Sequence, residues 1–600
     1  MKKVLSNQLF LWKLCFRTCP AYMIYFLYDG FRYQGVIFLE HVLGIRYVLH
    51  CAEYGEPFSK AFLYIGIIFL LNLLQIIPDG LFIHGWTYRS KPKLYKALKE
   101  QMFQKASELD LNCYDDPDYY NDFVLAVAES ESSIDRFLTM CNRIVQALTI
   151  LFTTGVFYLM TDAVGILFVL ASFVLRFFIS KVLNKLNYKV RIRTNPLVRK
   201  RNYVSRVFYL NDFAKELRLH PAVGDRLEEE FAEANDEIVK EQKKVGGKRS
   251  ALLFSNGYLA ADFIMDGIYI SYLVFRAAVL HVIDYSNAVV LFNRTGSLRR
   301  GMADLADIFP MAQENSLYVD KIRAFLAYMP KTVNETGEKV PEEGSGIRLD
   351  HVSFRYREDA EDTLKDISLT VKPGEKIAIV GYNGAGKTTL IKLLMRLYDP
   401  SEGTISYHDR DIRAYRTEDY RRRIGVVFQD YQLYAASLAE NVVMESVPAE
   451  DLIRKGDRVR SSLKRAGFGE RLESLPHGIE TQVTREFDQE GINFSGGESQ
   501  KIAISRAFYK NADILVMDEP SSALDPIAEY ELNKAMHSAA KGKTVFYISH
   551  RLSTTRDADR ILMLEKGRIV EEGTHESLLR KNGKYAAMWR VQAGRYETVM

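Results

Sequence analysis

The first half of the chain alternates long apolar runs with charged stretches, and the second half changes to short β-type patterns. Ala61 to Trp86, Ile144 to Met160, Ala163 to Ile179 and Leu252 to Leu280 are close to the ~20 residues a helix needs to cross a bilayer. Two weaker runs carry charges. Ala21 to His50 holds Asp29, Arg32, Glu40, His41 and Arg46, and Tyr285 to Phe309 holds Arg294, Arg299, Arg300, Asp304 and Asp307. The pattern predicts about six spans, two of them inferred partly because an even number returns the chain to its starting side. Thr161-Asp162 makes a short turn between two of them. Leu9-Phe10-Leu11-Trp12-Lys13-Leu14 is amphipathic and lacks a small-residue cleavage site, so it reads as an interfacial helix and not as a signal peptide. With about twenty residues before the first span, no leader-peptidase domain is expected there.

The polar connections set an orientation. Arg89, Lys91, Lys93, Lys96, Lys99 and Lys105 follow the second span, and Lys181 to Arg201 carry eight basic residues after the fourth. The opposite connection, Cys51 to Lys60, is short and poor in basic residues. Basic connections stay cytoplasmic, which puts both termini there too. Lys93 to Asp110 and Asp225 to Lys244 have helical spacing and charged faces, the pattern of arms projecting from the bilayer. Between them, Asp116-Pro-Asp-Tyr-Tyr-Asn-Asp-Phe123 and Tyr209-Leu-Asn-Asp-Phe-Ala-Lys-Glu-Leu217 are candidate docking elements. Ionisable groups in hydrocarbon usually face a cavity or a partner, so Arg276, Arg294, Arg299 and Arg300 are expected to line a polar pathway, the alternative for Arg299 and Arg300 being a place below the membrane on a long helix ending near Tyr328.

Residues 329–346 are polar and rich in proline and glycine, a linker between a membrane domain at 1–328 and a second domain at 347–600. In the second domain, strands such as Ile347 to Tyr356 and Ile367 to Val371 give way to alternating strands and helices up to about Ile569. That is the rhythm of an α/β nucleotide-binding domain. Residues Glu450 to Glu473 read as mainly helical.

Composition narrows the class only a little. A length of 600 residues is too much for one core. A net charge of +4 makes no case for nucleic acid. Five cysteines without metal-ligand spacing suggest neither a disulfide framework nor a metal cluster.

The chemistry is concentrated in three stretches. Ile377-Ala-Ile-Val380 is a buried-strand pattern running into Gly381-Tyr-Asn-Gly-Ala-Gly386-Lys387-Thr388, which fits G-x-x-x-x-G-K-[ST]. Glycine lets phosphate oxygens approach backbone N–H groups, and the following helix turns its positive end to the same anion. Lys387 reaches the β- and γ-phosphates, and the Thr388 hydroxyl holds Mg2+. Ile514-Leu-Val-Met-Asp518-Glu519 is a strand ending in two acids, with Asp518 placed to hold Mg2+ and Glu519 to deprotonate an attacking water. Ser495-Gly496-Gly497-Glu498 opens a helix with a hydroxyl and bare N–H groups, a second phosphate site. Two such sites in one chain suggest a two-subunit sandwich around each nucleotide.

These motifs, in this order, resemble the ATP-binding cassette (ABC) transporters, in particular exporters with fused membrane and nucleotide-binding domains. The resemblance covers the whole second half by motif, and the first half by architecture. Gly381 to Thr389, with Asn383, Gly384, Ala385 and Thr389 inside it, is similar to the Walker A loop, and Asp518-Glu519 to the end of Walker B. Ser495 to Glu498 resembles the family signature, with Glu498 where glutamine is commonest and Phe494 where leucine is usual. Gln429 resembles the Q-loop glutamine, a metal contact and γ-phosphate sensor. Ser522-Ala-Leu-Asp525 resembles the D-loop, His550 the switch histidine and Tyr356 the aromatic that stacks on adenine. Arg485 to Gly491 resembles the surface that receives the docking elements.

The resemblance implies a membrane domain of about six helices, then a RecA-like α/β P-loop domain with antiparallel β and helical subdomains. It implies ATP and Mg2+ as cofactors, catalysis by Glu519, His550 and Gln429, and a second half-transporter as partner, identical or not. The chain would then be a multi-pass protein of the cell membrane that exports a small molecule, lipid or peptide by alternating access. An ATP-gated channel, a regulatory ABC protein without net transport and a soluble P-loop ATPase are the competing expectations.

Overall fold

The structure, a computed structural model, describes residues 1–342, 345–518, 534, 536, 541–548 and 555–597. The chain divides into two units, Met1–Ser107 with Asn121–Tyr328 and Glu108–Tyr120 with Met329–Met600.

The first unit is helical. Among the described residues, five helices are long and apolar enough to cross a membrane: Pro20–Glu53, Phe58–Glu108, Ser130–Thr161, Ala163–Tyr209 and Pro221–Val279. The sixth expected span is also a helix, Tyr285–Leu326. It does not belong to that apolar set, because the charges that weakened its sequence pattern interrupt every apolar window. Three of the five helices run without a break from the apolar stretch into the charged arm, as the spacing predicts. Phe62, Leu63, Phe69 and Leu70 stand exposed on one of them, an apolar surface suited to hydrocarbon. Inside the bundle, Tyr158, Tyr269, Leu273, Val290, Leu291 and Leu298 form a buried cluster. The Tyr158 hydroxyl donates to the Leu291 carbonyl at 2.8 Å.

Two of the four arginines expected to line a pathway do something else. Arg276 reaches back to Asp162, in the turn after Thr161, at 2.8 Å. Arg299 pairs with Asp262 and Asp266. Each is neutralised by a carboxylate of the same unit, the cheaper solution for a charge that leaves water. Arg294 and Arg300 do line a cavity, described below.

The second unit carries two sheets. Ile347–Phe354 (β1), Leu364–Val371 (β2), Glu402–Tyr407 (β4) and Arg410–Asp411 (β5) form an antiparallel sheet in the order β2-β1-β4-β5. The other sheet contains Lys376–Gly381 (β3), Ile424–Val427 (β6), Ile514–Asp518 (β7), Thr544–Ile548 (β8), Arg560–Glu565 (β9) and Arg568–Gly573 (β10). Their order is β10-β9-β3-β8-β7-β6, all parallel except β10 on β9. Every residue of β7 and β8 is buried, so these strands read as continuous apolar runs and not as alternation. The expected helical stretch appears as Ala449–Arg465 and Gly469–Glu473. It packs in a separate apolar cluster with Leu438, Val459, Leu463 and Phe468.

The described part of the expected linker is tied down. Asp110, almost fully buried, accepts from Lys331 N at 2.7 Å, from Thr332 N at 3.0 Å and from the Thr332 hydroxyl. Thr417 Oγ1 donates to the Thr332 carbonyl at 3.0 Å, and Glu338 exchanges backbone bonds with Ala414 and Arg416. The first candidate docking element forms as Asn112–Asp115 and Pro117–Ala128, the second as Asn211–Leu219.

Candidate nucleotide-binding site

Four parallel strands end on one edge of the large sheet. β3 pairs with β8, β8 with β7 and β7 with β6, all in the same direction. Gly381, Ile548, Asp518 and Val427 therefore end on a shared rim, where α/β sheets bind ligands. Gln429 follows β6 by two residues and is exposed. Asp518 closes β7 and is 6% exposed. His550 follows β8 by two residues in sequence. His550, Glu519 and Asp525 lie outside the described residues.

The loop after β3 needs its glycines. Gly381 has φ +153°, and a Cβ there would lie 2.3 Å from the Leu564 carbonyl oxygen. Gly386 has φ +102°, and its Cβ would lie 2.7 Å from Leu364 Cδ2. Any side chain would be strained by backbone and neighbour together. Ala385 is buried between them, while Asn383, Gly384 and Thr388 face outward. Lys387 is buried, and its Nζ donates to the carbonyls of Gly381 at 2.9 Å and Tyr382 at 3.2 Å, curling the loop around the ammonium.

Tyr356 adjoins the same helix. Its hydroxyl lies 3.0 Å from Thr389 Oγ1, and its ring meets Phe354 and Tyr398 edge-on. Lys392 Nζ lies 5.6 Å from the ring centroid. The Tyr398 hydroxyl in turn donates to Asp115. Lys392 and Tyr398 were not singled out from the sequence. Lys392 lies five residues after Lys387, and that short distance was the available signal.

The signature stretch caps the helix Gly496–Lys510. Ser495 N and Oγ each donate to Glu498 at 2.8 Å, and Ser495 Oγ accepts from Glu498 N at 3.4 Å, a reciprocal capping box. Arg471 Nε lies 2.8 Å from the other Glu498 oxygen. A Cβ on Gly496 would meet nothing within 4 Å, so this helix start is open. Phe494 packs edge-on against Phe468 at 5.6 Å, which accounts for an aromatic where leucine is usual. The helix connects two cores: Ile502 belongs to the helical cluster, and Ile504, Ala507 and Phe508 belong to the sheet. The segment after Gln429 is fastened to it, with Tyr431 donating to the Gly496 carbonyl at 2.8 Å and Arg506 to the Gln432 carbonyl at 2.8 Å. Those contacts are not visible in sequence, because neither residue belongs to a motif. Phe487, in the stretch before the signature, is 84% exposed.

Burial alone would raise the Glu498 carboxyl. Donation from the Ser495 backbone and hydroxyl, together with Arg471, outweighs it and holds the carboxyl below the ordinary range. A depressed folded-state value stabilises above the unfolded value and is lost as pH falls through the folded one. Wild-type protein should therefore lose more thermal stability than Glu498→Gln as pH falls through and below the carboxylate range. Equal slopes in a thermal-shift titration would contradict this cap.

Comparison with known proteins agrees with this geometry. Residues 364–522 match the family model described as ABC transporter. The ATP-dependent lipid A-core flippase of Burkholderia pseudomallei (strain 1710b) is 38% identical over 297 residues, 49% of this chain and 46% of that protein. The protein of the same name from Cupriavidus metallidurans is 42% identical over 244 residues, 41% of this chain and 40% of that protein. The chain thus spans about half the length of the curated relatives it matches. A solved bacterial Atm1-family ABC exporter with ATP bound superposes with a TM-score of 0.78, covering 96% of this chain and 98% of that one at 22% identity. At that identity the likeness concerns the fold. The family match over the P-loop and signature, the helices long and apolar enough to span a bilayer and the exporter fold over the whole length together give a multi-pass membrane chain that carries an ABC transporter domain at residues 364–522.

Proposed function

We propose that the chain is one half of a dimeric exporter that hydrolyses ATP to move an amphipathic cargo of the lipid class across the membrane. The observation that carries this reading is the pairing of two phosphate-type sites. One is the loop 381–389 at the strand rim, and the other is the open helix start at Ser495, which opens a helix shared with the helical core. In the dimer, each nucleotide lies between the loop of one chain and the signature of the other.

The adenine ring stacks on Tyr356, and the phosphates take the N–H groups of Gly381 to Thr389 and the Lys387 ammonium. Ser495, Gly496 and Gly497 donate to the γ-phosphate from the opposite chain, and Glu498 holds that helix start in shape. Asp518, Gln429 and the outward hydroxyl of Thr388 are hard oxygen donors of the kind that suit Mg2+. When bound, this ion neutralises charge on the phosphates. Glu519 takes the proton of the attacking water, while Gln429 and His550 respond to the γ-phosphate and Asp525 lies at the dimer seam. The basic arms and the two docking elements transmit closure to the helices. The nucleotide-binding domains and both termini face the cytoplasm, as the basic connections direct. Flippases among the relatives and the exporter fold support the cargo class and direction.

Native mass measurement of the Glu519→Gln chain with ATP and Mg2+ tests the sandwich. The expected species has twice the mass of the chain and carries two nucleotides. A nucleotide-loaded species with a single copy of the chain would contradict it.

A further inference from the structure

A cavity of about 520 Å³ opens in the membrane unit between Pro20–Glu53, Ser130–Thr161 and Tyr285–Leu326. Arg294, Arg300, His41, Gln34 and Asn293 are on its wall, with Asp304 as the carboxylate. We propose that this cavity binds the phosphate-type oxyanion of an amphipathic molecule. The proposal rests on the transport reading for its identity as a cargo site.

Arg294 is only 5% exposed, and its Nε has no hydrogen-bond partner. Among the described residues, neither Arg294 nor Arg300 is within ion-pair distance of a carboxylate, and Asp304 is 4.0 Å from Arg143 instead. Three arginines elsewhere in the membrane unit are neutralised within the protein: Arg32 by Asp29 and Asp79, Arg276 by Asp162, and Arg299 by Asp262 and Asp266. A buried guanidinium without a counter-charge is costly, and a ligand anion removes the cost. Two guanidinium forks, with amide donors from Gln34 and Asn293, offer more N–H groups than a carboxylate has oxygens to receive them. Phosphate geometry answers that number better. An amphiphile fits the location, because the cavity lies among helices whose outer surface is apolar.

The test uses the full chain in phosphatidylcholine nanodiscs without ATP and measures equilibrium binding of labelled dodecyl phosphate. Binding should saturate, and dodecylphosphocholine, with the same tail and a covered charge, should compete about tenfold less well. Arg300→Gln and Arg294→Gln should each weaken binding about tenfold. Arg299→Gln should leave it unchanged. If the buried Arg294 variant fails to fold, the exposed Arg300 carries the test. Unchanged affinity in Arg300→Gln, or equal competition by dodecylphosphocholine, overturns the proposal. Equal competition by glycerol 3-phosphate keeps the oxyanion and overturns the amphiphile. ATP hydrolysis is measured on the same wild-type preparation. Hydrolysis without dodecyl phosphate binding overturns the cavity alone, and binding without hydrolysis overturns the pump alone.

Discussion

Replacing Glu519 with glutamine lowers ATP turnover by about 10²–10⁴-fold, the contribution of a general base, and leaves nucleotide binding in place. The reason lies in β7. Its five residues are buried, and Asp518 closes it on the rim where the P-loop strand ends, which is why the next acid in sequence is the base we propose. Glutamine keeps the size and hydrogen bonding of the side chain but takes no proton. Phosphate release and filter binding of ATP on the reconstituted chain separate the two effects. Turnover at the wild-type rate would remove Glu519 from this role.

Replacing Asp110 with alanine destabilises the second unit by about 3 kcal/mol, because two backbone N–H groups and a hydroxyl lose their buried acceptor. For a unit of this size that is a fall of roughly 6–12 °C in Tm. Asp110→Asn keeps one acceptor oxygen and should fall between. Thermal denaturation of the full chain in nanodiscs measures both. An unchanged melting transition in the alanine variant would show that the staple contributes nothing. The staple matters because Lys331 and Thr332 open the segment read from sequence as a polar linker, yet the structure ties that segment to Asp110 and Thr417.

Legibility in the sequence followed the range of the interactions. The loop from Gly381 to Thr388 is a local pattern, and the strand that feeds it is a continuous apolar run, so both could be read directly. Asp518 was readable for the same reason. That β8 separates β3 from β7 is a long-range pairing, which no local pattern encodes. Asp110 and Thr332 are 222 residues apart, and nothing near either residue announces the other. The membrane arginines show the opposite difficulty. A charge in an apolar run looks the same whether it faces a cavity or a carboxylate. Asp262 and Asp266, four residues apart within the fifth span, were the available sign that Arg299 had a partner. Arg294 had no such sign, and it faces the cavity together with Arg300.

Coupling is the central claim, and one preparation tests it. The wild-type chain is placed in liposomes with its nucleotide-binding domains outward, loaded with a fluorescent phosphorylated lipid, and followed for ATP hydrolysis and lipid movement together. Lipid should cross only when ATP is present, in proportion to the ATP consumed, and Glu519→Gln should stop both. Steady hydrolysis with no movement of the lipid beyond the ATP-free rate would contradict the account.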